Sequence, residues 1–150
     1  MSVVSLHTNR IIGVLKSLLD CFDKAVSTTL LWGPPQESTI IKWKGQLSAG
    51  FVVVAPMVIV NGSKSHYTIA ISWKNSKGDV TVETYDPRGS PETSQGFPLT
   101  RIGNVIPQTE KGLQTTDDLC GYHILYWVVY RLKYGPQKTN EMLRKGDMQP

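Results

Sequence analysis

The sequence predicts an α+β fold in which a small, mainly antiparallel sheet packs against a buried central helix. Three segments predict it: a Val- and Ile-rich run over 51–60, an alternating segment over 80–85, and an apolar stretch that begins at Cys120. Short runs rich in β-branched residues are typical of strands, and a stretch that is apolar all round is typical of a buried helix. The 150 residues, 40% of them apolar, suit one domain spanning 1–150.

The N-terminal part predicts one amphipathic helix over about 9–26. Its apolar residues recur at the spacing of one helical face, at Ile12, Leu15, Leu19 and Phe22. The Gly and Pro residues of 32–35 end any continuation, so an irregular stretch is expected to follow them.

Two turn signals divide the middle of the chain into three strands. Asn61 and Gly62 form a strong turn signal after the 51–60 strand, and 66–73 reads as its hairpin partner. A second turn over 75–78 leads into a third strand over 80–85. These segments begin the predicted core, which spans about 51–134.

The last third predicts a long loop and then the buried helix. Residues 87–118 contain many Gly, Pro, Ser and Thr residues, with a short strand expected near 102–106. The helix from Cys120 is expected to end near Lys133, because Gly135 and Pro136 follow. A polar C-terminal tail is expected over 136–150.

Composition excludes several classes of protein. The longest apolar run has about half the length of a membrane-spanning helix, so no membrane partner is expected, and no signal segment is evident at the N-terminus. Two cysteines, Cys21 and Cys120, do not make a disulfide framework, which favours a reducing, intracellular compartment. The formal net charge of +4 is spread along the chain and is typical of a solvated surface.

Cys120 is the candidate nucleophile of a cysteine hydrolase. Only a thiolate attacks, and the first turn of a helix favours negative charge through its unpaired N–H groups and its dipole. His66 is the candidate general base. Asp86 is the candidate carboxylate that orients it, because antiparallel pairing brings the start of one strand and the end of the next to the same edge of the sheet.

Two further residues complete the predicted chemistry. The side chain of Gln114 and the backbone N–H of Cys120 are the candidate oxyanion donors, and Gly121 lacks a Cβ where a substrate backbone must approach closely. Glu83 remains an alternative to Asp86, although strand alternation puts it on the opposite face. Gln108 remains an alternative to Gln114.

No metal site is predicted. His123 lies three positions after Cys120 and is therefore its neighbour on the helix. The chain offers no second ligand pair with suitable spacing for zinc. We expect no metal and no other cofactor in the chemical step.

The ordered set of His66, Asp86, Gln114 and Cys120 resembles the ubiquitin-like-protein protease and adenain superfamily of cysteine peptidases. The resemblance covers about 51–130 and includes segment 84–89, and its order differs from that of papain-like enzymes, in which Cys comes first. It implies that these four residues are catalytic. Tyr67 stands where the family commonly has a tryptophan that roofs the substrate tunnel, so the resemblance implies that Tyr67 binds substrate.

The resemblance also implies a function. The short chain is more similar to a viral or mobile-element maturation protease than to a cellular SUMO protease, which implies host cytoplasm, nucleus or virion as its location. The expected activity is thiol-dependent endoproteolysis beside small residues, glycine above all, with a protein or peptide as substrate. Similarity to adenain implies nucleic acid or a peptide as a weak activator.

Three alternatives stay open. A deubiquitinase or deSUMOylase would apply the same chemistry to a ubiquitin-like protein. An acetyltransferase of the bacterial effector type would use the same residues with acetyl-CoA. An inactive peptide- or nucleic-acid-binding module would use none of them chemically.

Overall fold

The computed structural model describes residues 3–20, 26–28, 31–32, 36–61, 64–87, 89, 99–106, 108, 110, 112 and 120–146. Within them the helices are α1 (Val3–Leu19), α2 (Glu37–Ser48) and α3 (Cys120–Lys145), and a 3-10 turn spans Leu99–Arg101. The strands are β1 (Val26–Thr28), β2 (Leu31–Trp32), β3 (Val52–Asn61), β4 (Lys64–Lys74), β5 (Val80–Tyr85) and β6 (Asn104–Ile106). The predicted α+β class is confirmed.

One sheet, ordered β1-β3-β4-β5-β6, forms the centre of the molecule, and β2 also pairs with β3. The long ladders are antiparallel, between β3 and β4 and between β4 and β5. Three short strands, β1, β2 and β6, pair in parallel at the margins. The predicted mainly antiparallel sheet and its two hairpins are therefore confirmed, with parallel edges that the sequence did not predict.

Helices cover both faces of this sheet. On one face, α1 and α3 pack in a core that includes Tyr67, Ile69, Tyr85, Ile124 and Trp127. On the other face, α2 packs in a second core made with the alternate residues of the same strands. Strand alternation therefore decides which helix each side chain meets.

The predicted N-terminal helix over about 9–26 has the wrong bounds at both ends, since α1 begins at Val3. α1 already ends at Leu19, and Val26 lies in β1, opposite Val52 of β3. Val26 and Thr28 are β-branched residues that suit a paired strand. The predicted buried face is confirmed at Leu15 and Leu19, but Ile11 is buried one turn earlier and Ile12 only partly, while Phe22 lies outside the described residues.

Helix α2 was not predicted from the sequence and occupies much of the expected irregular stretch. Its buried residues Ile40, Trp43 and Leu47 follow one another at helical spacing. The indole N–H of Trp43 donates a 2.8 Å hydrogen bond to Ser72 Oγ, and this hydroxyl donates in turn to the Val53 carbonyl. This chain of bonds satisfies the buried polar atoms that join α2 to the sheet.

The predicted polar tail over 136–150 is also wrong for its first part. Gly135 has a non-helical φ of 83° and ψ of 176°, so the chain breaks where expected, yet it resumes as helix through Lys145. Proline is tolerated in the first turn of a helix, so Pro136 starts this second segment. Thr139 Oγ1 donates to the Gly135 carbonyl at 2.7 Å, and Leu143 is buried in the core.

None of the helices in the described part of the chain is long and apolar enough to cross a membrane.

Candidate active site

The imidazole of His66 and the carboxylate of Asp86 form a hydrogen-bonded pair. His66 Nε2 lies 2.8 Å from Asp86 Oδ1. The Asp86 side chain is 1% exposed and that of His66 is 22% exposed. A carboxylate this deeply buried needs a polar partner. The sequence prediction that these two residues come together is confirmed.

The strand register explains why they meet. Ile69 of β4 pairs with Tyr85 of β5, so Thr68 comes opposite Asp86 when the ladder is continued by one residue. His66, two residues before Thr68, then faces Asp86 diagonally from the same side of the sheet. Diagonal neighbours on one face are within reach of long and aromatic side chains.

The ring nitrogen that is used determines the chemistry of the pair. With Asp86 ionised, the Nε2–H of His66 donates to Oδ1, and this bond fixes the neutral tautomer with its lone pair on Nδ1. Nδ1 is then the atom that can take a proton from a thiol. The geometry therefore suits an oriented general base.

The direction of α3 places its first residue at the same end of the sheet as this pair. The ring of Trp127 stacks on Tyr85, the residue before Asp86, with ring centroids 5.2 Å apart. One turn further along α3, Arg131 contacts Glu83 and Trp73, which lie farther from the end of the sheet where Asp86 lies. The helix thus runs away from this end, and Cys120, about two turns before Trp127, begins it.

The predicted helix start at Cys120 is confirmed, since α3 begins there and Gly121 follows within its first turn. The first N–H groups of an α-helix have no partner within the helix, so the backbone at Cys120 favours an anion. Gln114, the candidate oxyanion donor, lies outside the described residues.

Gln108 holds the backbone of Asp86 in place. Its Oε1 accepts a 2.8 Å hydrogen bond from the Asp86 N–H. Its Nε2 lies within hydrogen-bonding distance of three carbonyl oxygens, those of Asp86, Gly89 and Glu110, at 3.1, 3.3 and 2.8 Å. The amide is therefore committed to the loop after β5, and its role here is to position Asp86.

Glu83, the alternative to Asp86, belongs to a different contact. Its Oε2 accepts a 2.8 Å hydrogen bond from Nε of Arg131, and both side chains are mostly buried. The Arg131 guanidinium also lies over the Trp73 ring, 5.2 Å from its centroid. Glu83 thus anchors α3 to the sheet, while Asp86 orients the histidine.

Gly112 is a site residue that was not predicted from the sequence. Its backbone lies so close to the Asp86–Pro87 peptide that a Cβ at position 112 would overlap the carbonyl groups of both residues. Glycine allows such close approach of two backbones. No local pattern marks it in the sequence, because its contact is with a loop more than twenty residues away.

The structure contradicts the prediction that Tyr67 contacts substrate. Its side chain is 1% exposed and lies in the core beneath α1 and α3. Strand alternation gives the physical reason, since the residue after His66 must point to the opposite face. His123 is likewise mostly buried.

No group of three or more His, Cys, Asp or Glu side chains in the described ranges has the arrangement of a metal site. Comparison with models of known protein families gives no match. Comparison with curated proteins also gives none.

Proposed function

We propose that this chain is a cysteine endopeptidase similar to the ubiquitin-like-protein protease and adenain superfamily. The observation that carries the proposal is the 2.8 Å bond between His66 Nε2 and Asp86 Oδ1 at the end of the sheet where α3 begins with Cys120. An oriented imidazole and a thiol at a helix start are the two parts that thiol hydrolysis requires.

In the proposed reaction, His66 Nδ1 takes the proton of the Cys120 thiol, and the sulfur attacks the scissile carbonyl carbon. Asp86 keeps the ring oriented and stabilises the imidazolium that forms. The Nδ1 proton then passes to the leaving amine, which departs and leaves a thioester. Water, deprotonated by the same nitrogen, hydrolyses the thioester and releases the thiol.

The developing oxyanion needs donors that are already in place. The proposal assigns this role to the Gln114 amide and the Cys120 N–H. Two described contacts support it: Gln108 and Gly112 hold the segment that leads to Gln114 against the Asp86 peptide. Loss of the Gln114 amide should cost about 100-fold or more in turnover.

The proposed substrate is an extended peptide or protein with small residues, glycine above all, beside the cleaved bond. This specificity, a viral or mobile-element maturation role, and activation by nucleic acid or a peptide follow from the resemblance. The described part of the chain contributes the His66–Asp86 pair and the helix start at Cys120. Both would support thiol-dependent hydrolysis of any substrate.

A thiol-directed probe that carries a Gly-Gly electrophile tests the proposal. Mass mapping should find the adduct on Cys120 in the wild-type chain and no adduct at that position in Cys120→Ala. Cys21→Ala is the matched control and should be labelled as fast as the wild type. Labelling should slow at least tenfold in His66→Gln, because the base is lost.

Labelling of Cys21 alone, or of both cysteines at equal slow rates, would overturn the proposal. Substrate arms separate the alternatives that share its chemistry. Turnover of ubiquitin-like substrates but not short peptides would indicate an isopeptidase, and consumption of acetyl-CoA would indicate an acetyltransferase. Peptide or nucleic-acid binding that survives Cys120→Ala, with no wild-type turnover, would indicate a binding module.

A further inference from the structure

A cavity of about 150 Å³ lies between β5, β6 and the two halves of α3, on the face away from α2. Aromatic rings form much of its wall: Trp73, Tyr85 and Trp127. Gln108 and Asn140 add an amide each. This volume is about that of an engineered protein cavity that binds benzene.

The polar side chains of the wall differ in whether they already have hydrogen-bond partners. Glu83 and Arg131 bond to each other, and Gln108 bonds to the backbone around Asp86. The side-chain amide of Asn140 makes no hydrogen bond to the rest of the described chain. The cavity thus offers flat aromatic walls and one amide that can bond a ligand.

Two of the wall residues are joined directly to Asp86. Tyr85 precedes it in the chain and stacks on Trp127 with an interplanar angle of 3°. Gln108 accepts the Asp86 N–H and donates to its carbonyl. A molecule that pressed on either wall residue would act on the carboxylate that bonds His66.

We propose that this cavity binds a small neutral aromatic molecule with one hydrogen-bonding group, and that its occupancy is coupled to the His66–Asp86 pair. The aromatic ring of the ligand packs against the stacked pair of Tyr85 and Trp127, which forms part of the wall. The hydrogen-bonding group meets the Asn140 amide. Coupling between two sites is reciprocal, so a substrate analogue bound at His66 would change the affinity of the cavity by the same factor.

Phenol is the probe. Titration of the wild-type chain should give a saturable change in tryptophan fluorescence, because two tryptophans line the cavity. The NMR signals of the His66 ring, assigned by their loss in His66→Gln, should shift with the same midpoint. Neither readout requires turnover, so failure here is distinguishable from failure of the proposed function.

Matched variants and a matched ligand sharpen the test. Asn140→Leu should weaken phenol binding by about three- to tenfold through loss of one hydrogen bond. Gln137→Leu, an exposed amide one turn earlier on the same helix, should leave it unchanged. Ile106 also lines the cavity, and its side chain is 40% exposed. Ile106→Trp adds bulk there and should also weaken phenol binding without a change in the core.

Cyclohexanol, similar in size but not aromatic, should bind several-fold more weakly than phenol. The proposal is overturned if phenol produces no saturable change, or if cyclohexanol binds equally well. It is also overturned if Asn140→Leu and Ile106→Trp both bind phenol like the wild type. Saturation that leaves the His66 signals unmoved would overturn the coupling.

Discussion

The side-chain amide of Gln108 bonds to both the N–H and the carbonyl oxygen of Asp86, at 2.8 and 3.1 Å. The residue that orients His66 is therefore itself held through its backbone by a residue 22 positions later in the chain. A carboxylate that must present one oxygen to an imidazole benefits from a peptide that cannot rotate. Catalytic geometry is sensitive to displacements of about 1 Å.

Gln108→Leu should lower turnover by about 10- to 100-fold because Asp86 loses its fixed position. It should also lower the free energy of unfolding by about 1–3 kcal/mol, since buried backbone groups lose their partners. Kinetics and chemical denaturation measure the two effects.

A second substitution separates positioning from stability at this residue. Gln108→Glu keeps the acceptor for the Asp86 N–H but places a carboxylate oxygen against the three carbonyl oxygens, so a loss at least as large as that of Gln108→Leu is expected. A positioning role also requires that the NMR signals of the His66 ring shift in both variants. If stability is lost while the His66 signals stay unchanged, the role of Gln108 is structural only.

Asp86→Asn should reduce kcat by about 100-fold or more, because the amide no longer stabilises the imidazolium and allows the wrong tautomer. Glu83→Gln is the matched carboxylate-to-amide control three residues earlier. It should leave kcat within about threefold and instead lower the free energy of unfolding by about 1–3 kcal/mol, since it weakens the bond to Arg131. The opposite order of effects would exchange the two roles.

Gly112→Ala should destabilise the chain and reduce turnover, because the added methyl group overlaps the Asp86–Pro87 peptide and moves it. A loss of about 1–3 kcal/mol is expected, as for other overpacked sites. Gly45→Ala is the control of opposite sign. Among the described residues, nothing beyond its chain neighbours and the backbone of α2 lies within 4 Å of a Cβ at Gly45, so alanine should stabilise that helix by up to about 1 kcal/mol. Thermal unfolding of both variants measures the contrast.

The exposed ion pair between Glu37 of α2 and Arg101 of the 3-10 turn predicts a local pH effect. The hydrogen bond from Arg101 lowers the pKa of Glu37, with the charge of Lys44 as a smaller cause. Since the folded pKa lies below the unfolded one, the stabilisation is present above the unfolded pKa and is lost as the pH falls through the folded pKa.

Arg101→Gln should therefore raise the pKa of Glu37, as measured by NMR titration. The stability difference from the wild type should be present at neutral pH and vanish in acid. Glu141 is the internal control. Its pKa is lowered mainly by the hydrogen bond with Lys145, so it should not change in Arg101→Gln. An unchanged pKa at Glu37 would mean that the pair does not form in solution.

Local patterns predicted most of the sheet and the histidine–carboxylate pair. Two turn signals, one at Asn61 and one at 75–78, set two hairpins, and the register of adjacent hairpins follows from the turns between them. His66 and Asp86 therefore came together for a reason already visible in the sequence. The same period of two places Tyr67 on the buried face, whereas the family resemblance implied that Tyr67 contacts substrate.

Other features depend on distant partners. The helical spacing of Ile40, Trp43 and Leu47 was present in the sequence, but the Gly and Pro residues before it masked the start of α2. The helix after Gly135 has few apolar residues of its own, and its helical segment packs through Thr139 and Leu143. The parallel pairing of β1, β2 and β6 joins short segments that are far apart in the chain, and no turn signal in the sequence predicts it.

Local spacing was enough to predict the class of the fold, the antiparallel core strands and the helix that starts at Cys120, because each depends on neighbouring residues and a fixed period. Three other features became evident only in the folded chain: the hold of Gln108 and Gly112 on the Asp86 peptide, the pair of Glu83 with Arg131, and the cavity behind Tyr85. Those contacts join segments far apart in the chain. Their formation depends on how layers pack, which no local spacing encodes.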